Sequence, residues 1–365
     1  MNRKDSLRRF NQEVVEPETV SIIEKIDVAF SKEHQKIFAD FSPVFQGYLH
    51  WLKEKQENEE MPAIGYLQIS WLRTSIPFDL KIEAGTKFEY LLEAYSGGWY
   101  ADLEEHTKEW HCDWLVKYLA EYAQKLMEKS KKYQWVQKTD VRKCVYELYP
   151  IMNRYLLEAL HKGFRESNSQ EWLQNLKTEK EYFLRMGEYF DQSEVLMGYG
   201  KKKTPQKQKK LLQQKVVESS DFKGLQYPKQ ELSGSHFYYC DFTEGNLTGC
   251  NLQESVLLGA NFKGALLEQV NFKESILGDC SFEEASLKGA NFRLCKGSRA
   301  NVLSDIPCYF GVNFREADLR EADFRTGNFQ GADFTGAKMA GAKMMKRDKE
   351  KLNLSAEQIQ QIFWH

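Results

Sequence analysis

The sequence predicts a two-part chain: a mainly helical α+β domain over residues 1–198, then a solenoid of short stacked extended sides over residues 218–345. Three observations predict it. Apolar residues recur at helical spacing through much of the first half. A period of five takes over after residue 218. Between them, residues 199–217 hold Lys201, Lys202, Lys203, Lys207, Lys209, Lys210 and Lys215 with no acidic residue, which reads as a flexible, solvated basic linker.

In the first part, Val20, Ile23, Ile26 and Phe30 lie on one helical face, which Phe38, Phe41 and Phe45 extend. Pro17 sits where a helix start tolerates it. Trp114, Leu115, Tyr118, Leu119 and Leu126 mark a second helix. Leu148, Ile151, Met152, Tyr155 and Leu156 mark a third, with Pro150 as a potential break. Trp172, Leu173, Leu176, Phe183, Met186 and Phe190 suggest a fourth. Residues 64–72 and 87–95 alternate instead. Leu67, Ile69 and Trp71 share one side, as do Phe88, Tyr90, Leu92 and Ala94, with Glu89 and Glu93 opposite. A small antiparallel strand pair is expected there.

The five-residue pattern has a large apolar centre: Phe222, Tyr227, Leu232, Phe237, Phe242 and onward to Phe292. Gly297 interrupts it, Val302 resumes it, and two extra residues near 303–308 shift the register to Tyr309, Phe314 and so on to Met344. Two positions before each centre stands a small residue, often Ala or Cys, and Asp or Asn is frequent between them. A helix cannot use this pattern. At ~100° per residue, successive centres would drift ~140° and form no face. Small–polar–large is an in–out–in extended triplet, and the two remaining residues turn a corner. Each side must stack on other coils to bury its centre. Asn251, Asn271 and Asn291, twenty apart, are then expected to form a hydrogen-bonded ladder.

Segments such as EADLREADFRTGNFQGADF (316–334) resemble the pentapeptide-repeat family, whose pattern is A-(D/N)-(L/F)-X-X. The resemblance spans about a third of the chain. It implies a right-handed quadrilateral β-helix with four repeats per coil, hence roughly six coils here. In several members a C-terminal helix mediates dimers, so the resemblance also implies a homodimer. The matching segment is residues 346–365. Ser355 and Gln358 form a capping box there, and Ile359, Ile362 and Phe363 are expected on one capping or dimerisation face.

His106, His111, Cys112 and Asp113, with Glu104 and Glu105, are the best polar cluster. They lack a second pair at metal-ligand spacing. No phosphate loop, dinucleotide fingerprint or HExxH motif occurs. No enzyme activity, metal or cofactor is expected. Cys240, Cys250, Cys280 and Cys295 fill small inward slots and read as buried thiols. The basic amino-terminal residues carry no apolar run, so neither a secretory leader nor a membrane span is read, and a cytoplasmic location is expected. Twenty-residue stacking places His236, Val256 and Ile276 in one outward column with Tyr238 and Leu258 beside it. This apolar face is the candidate protein-docking surface.

Some pentapeptide-repeat proteins imitate DNA and protect type II topoisomerases such as gyrase. Residues 218–345 hold 17 acidic and 13 basic residues, a mild balance for a mimic. Arg315, Arg320 and Arg325 occupy outward corner slots and would interrupt its field. The expected function is therefore a protein-binding scaffold of unknown partner, with topoisomerase mimicry as the alternative. Direct nucleic-acid binding is not expected, since the lysine-rich run 201–215 holds no aromatic residue.

Overall fold

A computed structural model describes residues 2–82, 86–102, 104–167, 169–200 and 203–365. The chain divides into two compact units, Met1–Lys201 and Lys202–His365.

The first unit opens with α1 (Arg3–Phe10), which runs through a single π turn (Asn11–Val15) into α2 (Glu16–Glu57). Pro17 is the second residue of α2, a position that tolerates proline, but the chain enters it from the π turn rather than from a loop. The Glu16 N–H bonds the Asn11 carbonyl in the wide turn, and this register shift just ahead of the proline lets the helix continue. β1 (Ile64–Trp71), β2 (Phe88–Tyr95) and β3 (His106–Cys112) follow, then α3 (Val116–Ser130) and α4 (Lys138–Glu166). Pro150 lies inside α4 without ending it. The buried Leu148, Tyr149, Met152 and Tyr155 hold both sides of it in the core.

The fourth expected helix is corrected. Only α5 (Ser169–Leu173) is helical, and the chain then forms β4 (Thr178–Glu188) and β5 (Ser193–Gly200). Leu184 and Met186 alternate into the core, a period of two that the wider apolar spacing concealed. Gly187 fits the hairpin closely: a Cβ there would lie 2.2 Å from the Gln192 carbonyl oxygen. The expected strand pair is consequently part of a five-stranded sheet, ordered β3-β2-β1-β4-β5. β1 and β4 run parallel, a pairing that requires the long helical connection between them. Leu67, Ile69, Tyr90, Leu92 and Trp110 are buried, and Tyr90 donates a hydrogen bond to Asn153 Oδ1 of α4 at 2.7 Å.

The second unit begins within the expected linker. α6 (Pro205–Leu212) is capped by Thr204, and Leu212 joins the core of the coils. Gln208 is buried and donates to the Asp221 carbonyl at 2.9 Å. This stretch is thus a lid on the first coil rather than a free spacer, as an exposed solenoid end requires. β6 (Val216–Glu218) pairs in parallel with β7 (His236–Tyr238).

From there, parallel bridges join residues twenty apart in four columns: Asp221–Asp241–Asn261–Ser281, Gln226–Asn246–Leu266–Ser286, Glu231–Asn251–Asn271–Asn291 and His236–Val256–Ile276–Lys296. Inside, Phe222, Phe242, Phe262, Phe282, Phe314 and Phe334 form one continuous stack, with centroids 4.9–5.3 Å apart. That spacing is close to the strand-to-strand repeat of a sheet.

The break is larger than the register arithmetic suggested. Ser281 bridges Asn313, thirty-two residues on, so twelve residues leave the coil instead of two. Both numbers leave the same remainder in a period of five, which is why the sequence could not separate them. Gly297 keeps a coil position by donating to the Asn328 carbonyl, whereas Val302 is half-exposed and fills no core slot. The excursion closes on itself through an antiparallel bridge between Ala300 and Cys308. Asp279 accepts the Tyr309 and Phe310 N–H groups at 2.9 and 2.7 Å.

The carboxyl-terminal segment closes the other end. β8 (Lys343–Met344) precedes α7 (Ala356–Gln361) and pairs in parallel with β9 (Phe363–Trp364). Gln358 donates to the Phe334 and Ala337 carbonyls of the last coil at 2.7 and 3.0 Å.

Candidate functional site

The outward column expected to be a docking surface is present. His236, Val256 and Ile276 bridge one another in sequence, and each is half-buried. Tyr238 stands at the adjoining corner, its hydroxyl 3.1 Å from His236 Nδ1. Val216, 54% exposed, pairs with His236 and extends the column by one residue. The repeat register missed Val216 because it precedes the first centre; the parallel pairing alone places it there. Above Ile276 the column turns polar with Lys296 and Asn328. Leu258 stands beside the column and is half-buried like its members. A Cβ on Gly278 would lie 2.8 Å from Leu258 Cδ2 and 3.4 Å from Cys308 Cβ, so the excursion and Leu258 crowd one corner. The apolar wall is therefore Val216, His236, Val256 and Ile276, edged by Tyr238 and Leu258.

The expected carboxyl-terminal face does not form as one surface. α7 ends at Gln361, and Ile362 adopts an extended backbone. Alternation then sends Ile362 into the core while Phe363 is 63% exposed, with Ile359 half-buried on the helix before them. Ile362 is a cap residue, and Phe363 is the outward one.

The polar cluster of the first unit comes apart for a similar reason. His106 and Cys112 point inward from opposite ends of β3, and His111 points outward. Among the described residues no group of His, Cys, Asp and Glu could hold a metal ion. Burial pushes the Cys112 thiol up to about 12, away from nucleophilic use.

The coil cysteines serve packing. Burial pushes Cys240 and Cys295 each up to about 12. Cys250 and Cys295 donate S–H bonds to the Tyr227 and Phe272 carbonyls of the coil below, at 3.1 and 2.9 Å.

The frequent Asp and Asn have a structural role. Asn251, Asn271 and Asn291 each accept the N–H two residues on, at 3.1–3.2 Å, capping the corner. Their amides also form the expected ladder, with Asn271 donating to Asn251 and Asn291 to Asn271, both at 2.9 Å.

Charges along the coils are locally compensated. Arg320 forks onto Asp318 of its own repeat at 2.8 and 2.5 Å, and Arg325 onto Asp323 at 2.9 and 2.7 Å. The guanidinium beside it holds the Asp318 carboxyl below its usual range. Arg315 reaches Asp333, and Lys263 reaches Glu283.

A family model for pentapeptide repeats matches residues 231–269, 266–301 and 310–346. Solved structures similar to the chain include a pentapeptide repeat protein from the Arabidopsis thaliana thylakoid lumen, 28% identical over 35% of this chain and 71% of that one, with a TM-score of 0.21. Rfr23 from the cyanobacterium Cyanothece 51142 is 20% identical over 35% and 88%, TM-score 0.21. Full-length QnrB1, a plasmid-mediated fluoroquinolone resistance protein, is 17% identical over 41% and 82%, TM-score 0.15. No curated protein matches the chain.

Proposed function

Because residues 231–301 and 310–346 match pentapeptide repeats, we propose that this chain is a non-enzymatic scaffold whose coils, wound as a right-handed four-sided helix, present a rigid wall to a protein partner. One observation carries the reading. Val216, His236, Val256 and Ile276 form a continuous apolar column on a surface whose other columns are mostly Asp, Asn, Ser and Lys. Contiguous apolar surface of this kind marks docking. A solenoid wall suits it, since stacked sides cannot adjust and cost little entropy on binding. The cytoplasm is the proposed compartment, consistent with seven free cysteines. No described helix is long and apolar enough to cross a membrane.

The test is a double substitution, Val256→Ser with Ile276→Ser. Both side chains are outward, so the coils should melt within a few degrees of the parent. Binding partners captured by the parent protein should be lost, and any self-association should fall. Unchanged capture and unchanged oligomeric state would remove the wall from consideration.

Topoisomerase mimicry keeps one observation in its favour. Residues 218–285 hold 11 acidic and 4 basic residues, whereas residues 286–345 hold 6 and 9. A duplex mimic needs one sign along its length. The basic second half and the Arg320–Asp318 and Arg325–Asp323 pairs oppose that. A gyrase supercoiling assay, with and without a quinolone, decides it. Protection or inhibition at equimolar protein would reverse the ranking.

A further inference from the structure

The first unit holds a groove of about 1050 Å³. One wall is α3, and the other is the connection from β1 to β2, through residues 79–82 and 86–87. On α3, Lys117, Ala120, Gln124, Met127 and Lys131 recur at three- and four-residue steps and so share one stripe. Leu119, Tyr122, Ala123 and Leu126 of the same helix fill the core instead. The groove therefore follows the helix, and Lys117 and Lys131 lie about 20 Å apart along it.

The floor is apolar and the rim is charged. Leu80, Ile82, Val116, Ala120 and Met127 line the floor, and Ile82, Ala120 and Met127 are only half-buried. Leu80 turns inward from a left-handed backbone at φ 58°, an outlier for a bulky residue. Most carboxylates on the rim are engaged. Asp79 pairs with Lys81 and accepts its N–H at 3.1 Å, Glu121 pairs with Lys25 and Lys125, and Glu128 accepts the Gln124 amide at 3.1 Å. Asp113 stands before the start of α3, far from Lys131. Lys87, Lys117, Lys131 and Lys138 have no carboxylate partner among the described residues, and Lys117 lies 4.8 Å from the Tyr118 ring. Lys131, just past α3, and Lys138, the first residue of α4, thus give one end of the groove two uncompensated cations; Asp140 nearby is held by Arg3.

We propose that this groove binds a free fatty carboxylate, its hydrocarbon chain lying along α3 over Ala120 and Met127 and its carboxylate between Lys131 and Lys138. A long, narrow apolar floor with a few polar groups at one end fits a single aliphatic chain. Each methylene buried there tightens binding about fourfold. An extended peptide would instead press unpaired backbone N–H and C=O groups against a helix whose own are already bonded. The uncompensated lysines select an anionic head group. The inference does not depend on the coil wall, and the Val256→Ser/Ile276→Ser variant should leave it intact.

The experiment titrates the full chain with dodecanoate, decanoate and dodecyltrimethylammonium by calorimetry, each below its micelle concentration. Dodecanoate should bind at one site per chain, about tenfold or more tighter than the ammonium amphiphile. Decanoate, two methylenes shorter, should bind about tenfold weaker than dodecanoate. Lys131→Gln with Lys138→Gln removes two exposed cations. It should leave the melting temperature unchanged and weaken dodecanoate about 5–30-fold. Ala120→Phe fills the floor and should weaken dodecanoate about tenfold or more. Absence of saturable binding, more than one site per chain, equal affinity for the two head groups, or unchanged affinity in the double lysine variant overturns the proposal. Unchanged affinity in a folded Ala120→Phe variant overturns it as well.

Discussion

At the scale of single residues, the coil corners show how the repeat tolerates difficult backbone. The last corner residue is left-handed again and again, at Gly224, Gly249, Gly259 and Gly289 but also at Glu244, Glu254, Glu274 and Leu294. Glycine is therefore optional at the corner unless space is also short. Nothing lies within 4 Å of a Cβ built on Gly224, whereas one on Gly259 would meet Tyr239 Cδ1 at 2.3 Å. Gly224→Ala should cost about 1 kcal/mol, the left-handed penalty alone, and Gly259→Ala about 2–4 kcal/mol, by urea unfolding. Glu93 offers a second residue-scale test. Burial raises its carboxyl above the ordinary 4.5, and the Ser70 and Tyr95 hydroxyls offset only part of this. Its neutral form favours the folded state, so its contribution is present below about pH 4.5 and is lost as pH rises through the folded value. Glu93→Gln should therefore raise the melting temperature of the first unit at pH 7, with the gain vanishing below about pH 4.

At the scale of elements, the ladder and the end caps carry the coils. Asn271 donates to Asn251, accepts from Asn291 and caps the Lys273 N–H. Asn271→Ala removes all three and should destabilise the coils by about 1–3 kcal/mol, read by chemical denaturation. Gln358→Ala uncovers the Phe334 and Ala337 carbonyls. Hydrogen exchange should then rise first in the last coil, while the middle coils stay protected. Here the sequence was readable to different depths. The Asn ladder follows from period and amide chemistry, and so it was legible. β4 was not, because Phe183 and Met186 satisfy a helical spacing as well as a strand spacing, and only pairing with β1 decides between them.

At the scale of the whole chain, the residues between the two repeating patterns matter most. α6 and β6 lie in a stretch that composition marks as a solvated linker, yet Leu212 and Val217 are buried in the coil core. A fragment beginning at Thr204 should keep the stability of the coils, and one beginning at Glu218 should lose several kcal/mol for two buried aliphatic side chains and an uncovered end. Parallel thermal melts of the two fragments check this. The charge of the coils is also unevenly distributed, acidic before residue 286 and basic after it, so a salt-dependent partner should engage one half and not the other.

The sequence by itself determined the coil fold, its register, its inward thiols and its Asn ladder. Every one of these repeats locally, and a stacked solenoid contacts only its neighbours. Tertiary structure alone decided the five-stranded sheet, the twelve-residue excursion, the docking of α6 and the separation of Ile362 from Phe363. These depend on which distant segment pairs with which, and residue spacing carries no record of that choice.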